Sequence, residues 1–190
     1  MKLLVLVLAL LTTGCTTIDS GKLLPSKETE SIGFSSYGQA VEAINHVLIN
    51  KTTELELIAN GFNPTDATNM KLLTYTDVVG TFLSNPNLTK DDIPKGIVDC
   101  LKAQGGCKAY QFNAEHINEE RYGNFLVDAL NFRKRTKTQG WTFEAMIVVV
   151  DGVVVYTHHS GQPNINKKEV KRNPLGPLQG MDVEDLQKLH

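Results

Sequence analysis

The alternation of apolar and polar residues predicts three or four helices in the first half of the chain. Ser36 can cap a first helical segment from Tyr37 that stops at Asn60-Gly61, and this segment is either one helix or two helices that break at Thr52-Thr53. Thr76 or Asp77 can cap the next helix, and Pro94 can open another at its first turn. The apolar residues that recur at helical spacing are Val41, Ile44, Val47, Leu48, Leu55, Leu57, Ile58, Val78, Val79, Phe82, Leu83, Ile97, Val98 and Leu101.

A strand over 108–117 and an amphipathic helix over 119–134 are expected next. Tyr122, Phe125 and Leu126 begin an apolar stripe that repeats every three or four residues. The basic run Arg133-Lys134-Arg135 would then lie in the last turn, where cations complement the helix dipole. The alternative is that this run contacts anionic lipid head groups.

Two β-branched runs, Trp141–Val150 and Val153–His159, flank Asp151-Gly152 and predict a β-hairpin with a type I′ turn. In that register Val150 faces Val153, and Glu144 faces His159. Both faces are apolar near the turn, so both should be covered, one by the helices and the other by a further element, a partner or a second copy. Irregular coil is expected after Gly161, and Asp182 can cap a final short helix.

These elements predict an α+β fold, with N-terminal helices packed on a small antiparallel sheet that has a C-terminal β-hairpin. The expected organisation is a signal peptide over 1–14, a flexible tether over 15–34 that is polar and rich in turn-forming residues, and a single domain over 35–190.

The N-terminus has the features of an export signal. Lys2 precedes an apolar run from Leu3 to Leu11, which is far shorter than the roughly 20 residues of a membrane-spanning helix. Gly14-Cys15 resembles the lipobox of bacterial lipoproteins, with Thr12 where an aliphatic residue is usual. The resemblance implies cleavage before Cys15, a lipid anchor that includes palmitate on Cys15, and a location in the cell envelope. Because residue 16 is Thr rather than Asp, the outer membrane is favoured. An ordinary secretory signal is the alternative.

The amino-acid composition limits the classes of partner that the chain is expected to bind. The 19 basic and 21 acidic side chains give a net charge of −2, which makes nucleic acid an unexpected partner. With Cys15 taken by lipid, Cys100 and Cys107 form an even pair, and Gly105-Gly106 permits the chain to reverse between them. In an oxidising compartment a disulfide is expected. A redox or metal pair is the alternative, although the spacing is not that of a CxxC motif.

No motif for catalysis, nucleotide binding or metal binding is present, and no cofactor is expected. Glu144 and His159, if they face each other, are either an acid–base pair or a cross-strand surface pair. His158 and His159 are adjacent on a strand, so their rings point to opposite faces and are not expected to share a metal ion.

The string Gly140-Trp141-Thr142-Phe143, together with the lipobox and the hairpin, resembles small outer-membrane-assembly lipoproteins of the SmpA/BamE type. The resemblance implies a non-enzymatic role, as a periplasmic-facing envelope scaffold or accessory protein that acts through contacts with an envelope protein partner. No binding residue is carried over from it. The alternatives are an envelope hydrolase, and a small-ligand or lipid carrier with a deep apolar cavity.

Overall fold

The computed structural model describes residues 23–31, 33–63, 69–83 and 92–178. It confirms the α+β class: an antiparallel sheet of five strands is accompanied by several helices. The strands are β1 (Ser26–Glu30), β2 (Met70–Leu73), β3 (Cys107–Arg121), β4 (Arg133–Val150) and β5 (Val153–Arg172), and the helices are α1 (Tyr37–Asn45), α2 (Glu54–Ala59), α3 (Tyr75–Leu83), α4 (Lys95–Ala103) and α5 (Phe125–Ala129). None of the helices in these ranges is long and apolar enough to cross a bilayer.

The sheet order is β1–β3–β4–β5, and β2 pairs with β3. Met70 lies opposite Phe112 and Leu73 lies opposite Ala109, so this pair is antiparallel. β5 is the last strand in the order. Close to the turn its outer edge is covered by the chain before α2, since Asn50 N–H donates to Val154 O and Val154 N–H donates to Thr52 O.

The chain divides into two compact units. The larger unit contains residues 27–119 and 137–167. The described parts of the smaller unit are 23–26, 120–136 and 168–178. β3, β4 and β5 each contribute residues to both units. β5 does so as one continuous strand, although the sequence predicts a strand followed by irregular coil over these residues.

Both faces of the sheet in the larger unit are covered close to the turn between β4 and β5. One face carries Ile147, Val149 and Val154, which pack with residues of α1 and α2 in a first core cluster. The opposite face carries Val148, which packs with residues of α3 and α4 in a second cluster. Close to the turn, residues of two helices therefore pack on each face, α1 and α2 on one and α3 and α4 on the other.

Local side-chain caps explain where the helices begin. Ser36 accepts a hydrogen bond from Gln39 N–H at the start of α1, as predicted. Thr53 and Glu56 form a reciprocal capping box at α2. Thr74, rather than Thr76 or Asp77, begins α3: its hydroxyl accepts from Asp77 N–H, and the Asp77 carboxylate accepts from Thr74 N–H.

A β-bulge interrupts β5 shortly after the turn. Val154 belongs to the first core cluster, whereas Val155 and Tyr156 both pack against the second. Two consecutive residues on one face of a strand are the mark of a bulge, from which we infer that both lie opposite Val148. From that point as far as Ser160, the β5 side chains lie one position away from the register that the turn alone predicts.

Two glycines allow β4 and β5 to approach their neighbours closely. Gly140 has φ +144°, and a Cβ there would lie 1.8 Å from His116 O. Gly161 has φ +146°, and a Cβ there would lie 2.2 Å from Thr142 O. A side chain at either position would collide with the backbone of the neighbouring strand, so only glycine fits there.

The helix predicted over 119–134 is wrong, because only Phe125–Ala129 is helical. Gly123 at φ +114° and Asn131 at φ +61° break the regular backbone on either side. Tyr122 N–H donates to Arg135 O, so the ends of the segment belong to two neighbouring strands. The basic run at 133–135 therefore opens β4 instead of ending a helix, and the dipole argument for it does not hold.

Two further segments differ from expectation. Residues 162–172 continue β5, although irregular coil is predicted there, and residues 26–30 of the expected tether form β1. Both segments are polar and mostly exposed, so backbone pairing holds them and no hydrophobic alternation reveals them. The final helix predicted from Asp182 lies outside the described residues.

The smaller unit is held by a buried ion pair and an amide cluster. Arg121 Nη1 lies 3.0 Å from the Asp128 carboxylate, whose side chain is 5% exposed. Asn173 donates its side-chain amide to Asn131, and the Phe132 ring lies against Gly176. These contacts join α5 and the turn after it to the chain that follows β5 within this unit.

Candidate functional site

A polar groove of about 410 Å³ crosses one face of the sheet in the larger unit. It continues the face whose apolar part is covered by α3 and α4. Glu144, Glu115, Thr142 and Ser160 line it. These side chains are exposed or half-buried and offer hydroxyl and carboxylate oxygens, so the groove can bind a polar ligand or a peptide by hydrogen bonds.

Glu144 and His159, predicted to face each other, take different partners. The Glu144 carboxylate accepts a hydrogen bond of 2.7 Å from the Gln111 side-chain amide, inside the groove. The His159 ring stacks on Phe143, with ring centroids 5.9 Å apart. Because neighbouring residues of a strand point to opposite faces, Phe143 and Glu144 mark two faces, and His159 lies on the face away from the groove.

The physical reason for this difference is the bulge at Val155–Tyr156. One extra residue on β5 shifts the register by one position, which moves Ser160 onto the face of Glu144 and turns His159 away. His158, which precedes it, is exposed. The predicted separation of the two histidine rings therefore agrees with the structure, while the expected pair of Glu144 and His159 does not form.

The groove places Ser160 and Glu144 on one surface without a hydrogen bond between them among the described residues. Glu144 is held by Gln111, and Thr142 Oγ1 accepts from Gln162 N–H at 3.3 Å. Nucleophilic catalysis needs a base within hydrogen-bond reach of the nucleophile. As the side chains lie here, the groove supports ligand binding and not acyl transfer.

A second polar group lies on β1 and β3. His116 Nε2 is 3.7 Å from Glu28 Oε1, and His116 Nδ1 is 3.9 Å from Glu30 Oε1. In the described chain this is the one group of three side chains with the donor types of a metal site. The two ring nitrogens face different carboxylates, and only one nitrogen can bind an ion held by all three residues. We therefore assign no metal to it.

An apolar surface at α2 is the other prominent feature of the larger unit, and we call it the α2 patch. It consists of Leu48, Ile49, Leu55 and Ile58; Leu55 is 79% exposed and the others are about half exposed. Leu57, between the last two, is fully buried. A helix that is apolar on more than one side must leave one of them in solvent. This signal is present in the sequence, where Leu55, Leu57 and Ile58 do not share one face of a helix.

Polar contacts fix the α2 patch to the sheet. The Tyr110 hydroxyl on β3 donates to the Glu54 carboxylate at the start of α2, and Lys108 Nζ lies 3.7 Å from the same carboxylate. Glu54 N–H donates to Gly152 O in the turn between β4 and β5. Burial and the bond to Glu54 raise the pKa of Tyr110 well above its ordinary value. The patch is thus displayed on a rigid support, which lowers the entropic cost of binding a partner.

Cys100 and Cys107 form a disulfide, with Cα atoms 5.0 Å apart. Both are buried in the second core cluster, under α4. The predicted signal peptide, the lipidation residue Cys15 and the first part of the tether lie outside the described residues. Comparison with known proteins gave no match to a family model, to a curated protein or to a solved structure.

Proposed function

We propose that this chain is an exported lipoprotein, anchored in the outer membrane through acylated Cys15, that acts in the periplasm as an envelope scaffold or accessory protein. The lipobox resemblance supports the anchor. The Cys100–Cys107 disulfide supports an oxidising compartment, because such bonds persist outside the cytosol. It also accounts for two of the three cysteines in the sequence, so that neither of them competes with Cys15 as the lipidation residue.

The observation that carries the proposed role is the α2 patch. Four large aliphatic side chains lie exposed within residues 48–58, and exposed apolar surface of this kind marks protein contacts. An envelope protein with a complementary apolar groove is the partner that fits it. The finer architecture expected from the sequence, helices packed on the sheet beside a C-terminal β-hairpin, is part of this proposal, since it is the support that displays the patch.

The anchor is tested by growing bacterial cells that express the full precursor with an alkyne-labelled palmitate analogue. We expect label on the protein, loss of label in Cys15→Ser, and retention of label in Cys107→Ser. Label that persists in Cys15→Ser would contradict a lipid on that cysteine.

The protein contact is tested by photo-crosslinking in intact envelopes with a photoreactive residue at position 55. Position 72 is the matched control, because Leu72 is an exposed leucine on β2 of the same unit. We expect a discrete protein adduct from position 55 that Ile58→Glu weakens and Lys102→Glu does not. Equal adducts from both positions, or none from position 55, would contradict a specific contact at α2.

A carrier of a small polar ligand is the second candidate, and the polar groove favours it. It predicts that Glu144→Gln abolishes function while the fold is unchanged, and that His159→Ala has no comparable effect, because His159 lies on the other face. A scaffold predicts that both variants keep their function. Complementation of a deletion strain separates these outcomes.

A further inference from the structure

Exposed apolar side chains are concentrated in the smaller unit. Of the thirteen large hydrophobic residues that are exposed in the described chain, eight belong to this unit. Leu126, at 65% exposed, and Leu130 lie on and after α5, and Leu178 lies in the short 3-10 turn Gly176–Leu178. The contacts of Asn131 with Asn173 and Gly176 hold together the two segments that carry these leucines.

The same unit is rich in positive charge. Its described residues contain seven cationic side chains and three carboxylates. Three of the cations, Arg133, Lys134 and Arg135, open β4, and three more, Lys168, Lys171 and Arg172, close β5. Apart from Arg121, which pairs with Asp128, none of these cations forms an ion pair with a carboxylate among the described residues.

Pairing of the strand ends brings these charges together. Asn173 N–H donates to Phe132 O, so the next residues along the two strands, Arg133 and Arg172, lie side by side. Like charges on neighbouring strands repel and destabilise the pair. A unit that carries these basic residues together with exposed leucines is complementary to a partner that is both anionic and apolar.

We propose that the smaller unit docks on an anionic phospholipid surface. The basic residues would contact phosphate head groups, and Leu126, Leu130 and Leu178 would enter the region where head groups meet acyl chains. The inference rests on the proposed lipid anchor in one respect. Leu23 is eight residues further along the chain than Cys15, and eight steps reach at most about 28 Å, so the unit lies close to the bilayer of an anchored protein.

An anchored protein would then be attached to the membrane in two ways, through the lipid on its cysteine and through the basic, apolar surface of the smaller unit. A second attachment next to the first acts at high effective concentration, so weak docking is enough to hold the unit against the membrane. The docking surface therefore determines which side of the smaller unit faces the bilayer. A lipid on Cys15 alone does not determine that orientation.

The test uses the chain from residue 15 to its end with Cys15→Ser, so that no lipid is attached. Its binding is measured by co-sedimentation with vesicles of phosphatidylcholine alone and of phosphatidylcholine mixed equally with phosphatidylglycerol. We expect binding to the anionic vesicles only, with an affinity that falls as salt is raised. Arg133→Glu with Lys134→Glu should weaken it at least about tenfold, and so should Leu126→Ser with Leu130→Ser.

Lys102→Glu and Leu72→Ser are the matched controls, because both residues are exposed in the larger unit, and they should bind as the parent does. Circular dichroism of every variant verifies the fold. Equal binding to both kinds of vesicle, or unchanged binding by the two double variants, overturns the proposal. The proposal is also overturned if the parent chain does not bind vesicles but crosslinks from position 126 to a protein, since the surface is then a protein interface. Palmitate labelling tests the anchor separately, so failure of one proposal leaves the other standing.

Discussion

The Tyr110 hydroxyl on β3 donates a hydrogen bond to the carboxylate of Glu54, the first residue of α2. Tyr110 is nearly fully buried, and this bond joins the helix that carries the α2 patch to the middle strand of the sheet. Tyr110→Phe removes the bond and leaves Glu54 with Lys108, so we expect a loss of about 1–2 kcal/mol in the free energy of unfolding. Urea unfolding measures it. Tyr37→Phe is the control, because the Tyr37 ring packs on Phe143 and its hydroxyl bonds to no described residue.

The same tyrosine should make the fold sensitive to alkali. Its pKa is raised in the folded chain, chiefly by burial and then by the bond to Glu54. Above about pH 10 the unfolded chain loses this proton while the folded chain keeps it, so stability falls as the pH rises through that range. Urea midpoints at neutral pH and at about pH 10.5 should fall less in Tyr110→Phe than in the parent. An equal fall in both proteins would show that Tyr110 does not contribute.

One chemical change, Gly→Ala, should have opposite effects at two positions. At Gly140 the added Cβ meets His116 O on the neighbouring strand, and φ is +144°, so we expect a loss of about 2–4 kcal/mol. At Gly38, in α1, nothing lies within 4 Å of the added Cβ, and we expect a gain of about 0.5–1 kcal/mol. Thermal unfolding compares the two. Tolerance of alanine at Gly140 would contradict the close approach of the two strands at this position.

The Cys100–Cys107 disulfide should stabilise the larger unit. Cys100→Ala with Cys107→Ala is expected to cost roughly 2–3 kcal/mol, because the unfolded chain is no longer constrained. The same loss should follow reduction of the parent under denaturing conditions. Intact mass after alkylation provides the check: the parent should take up alkylating reagent at these two residues only once it is reduced.

Removing one partner of the buried ion pair should cost more than removing both. Asp128 is 4% exposed and its Oδ2 has no hydrogen-bond partner among the described residues, so it depends on Arg121. Arg121→Met leaves a buried unpaired carboxylate, with an expected loss of about 3–5 kcal/mol. Adding Asp128→Leu should recover much of it. Hydrogen exchange of the α5 amides reports the effect locally, and additive losses in the double variant would contradict a direct interaction.

The sequence predicts well wherever a local rule decides the structure. Side-chain caps place the starts of α1 and α2, and Asp151-Gly152 takes φ values of +50° and +81°, the left-handed conformation that a type I′ turn needs. Apolar residues on both faces of 146–150 indicate two covering layers, which α1, α2, α3 and α4 supply. In each case the relevant signal lies within a few residues.

Prediction fails where tertiary pairing overrides the local pattern. The stripe from Tyr122 to Leu130 has helical spacing, but Gly123 and the pairing of Tyr122 with Arg135 limit the helix to five residues. The end of β5 is polar, so no alternation marks it. The bulge at Val155–Tyr156 has no sequence signature, yet it decides that Glu144 shares a face with Ser160 and not with His159. The candidate site thus depends on a feature that the sequence does not encode locally.

β5 ends the sheet order, and beyond Val154 its outer edge extends to Arg172 with no strand beside it among the described residues. An edge of that length is a template on which a second copy could add a strand and begin a fibril. Pro163 lacks the N–H that such a strand would need, and Lys168 and Lys171 place positive charge along the edge. The same lysines that suit an anionic surface therefore also keep copies of the chain from aggregating through this edge.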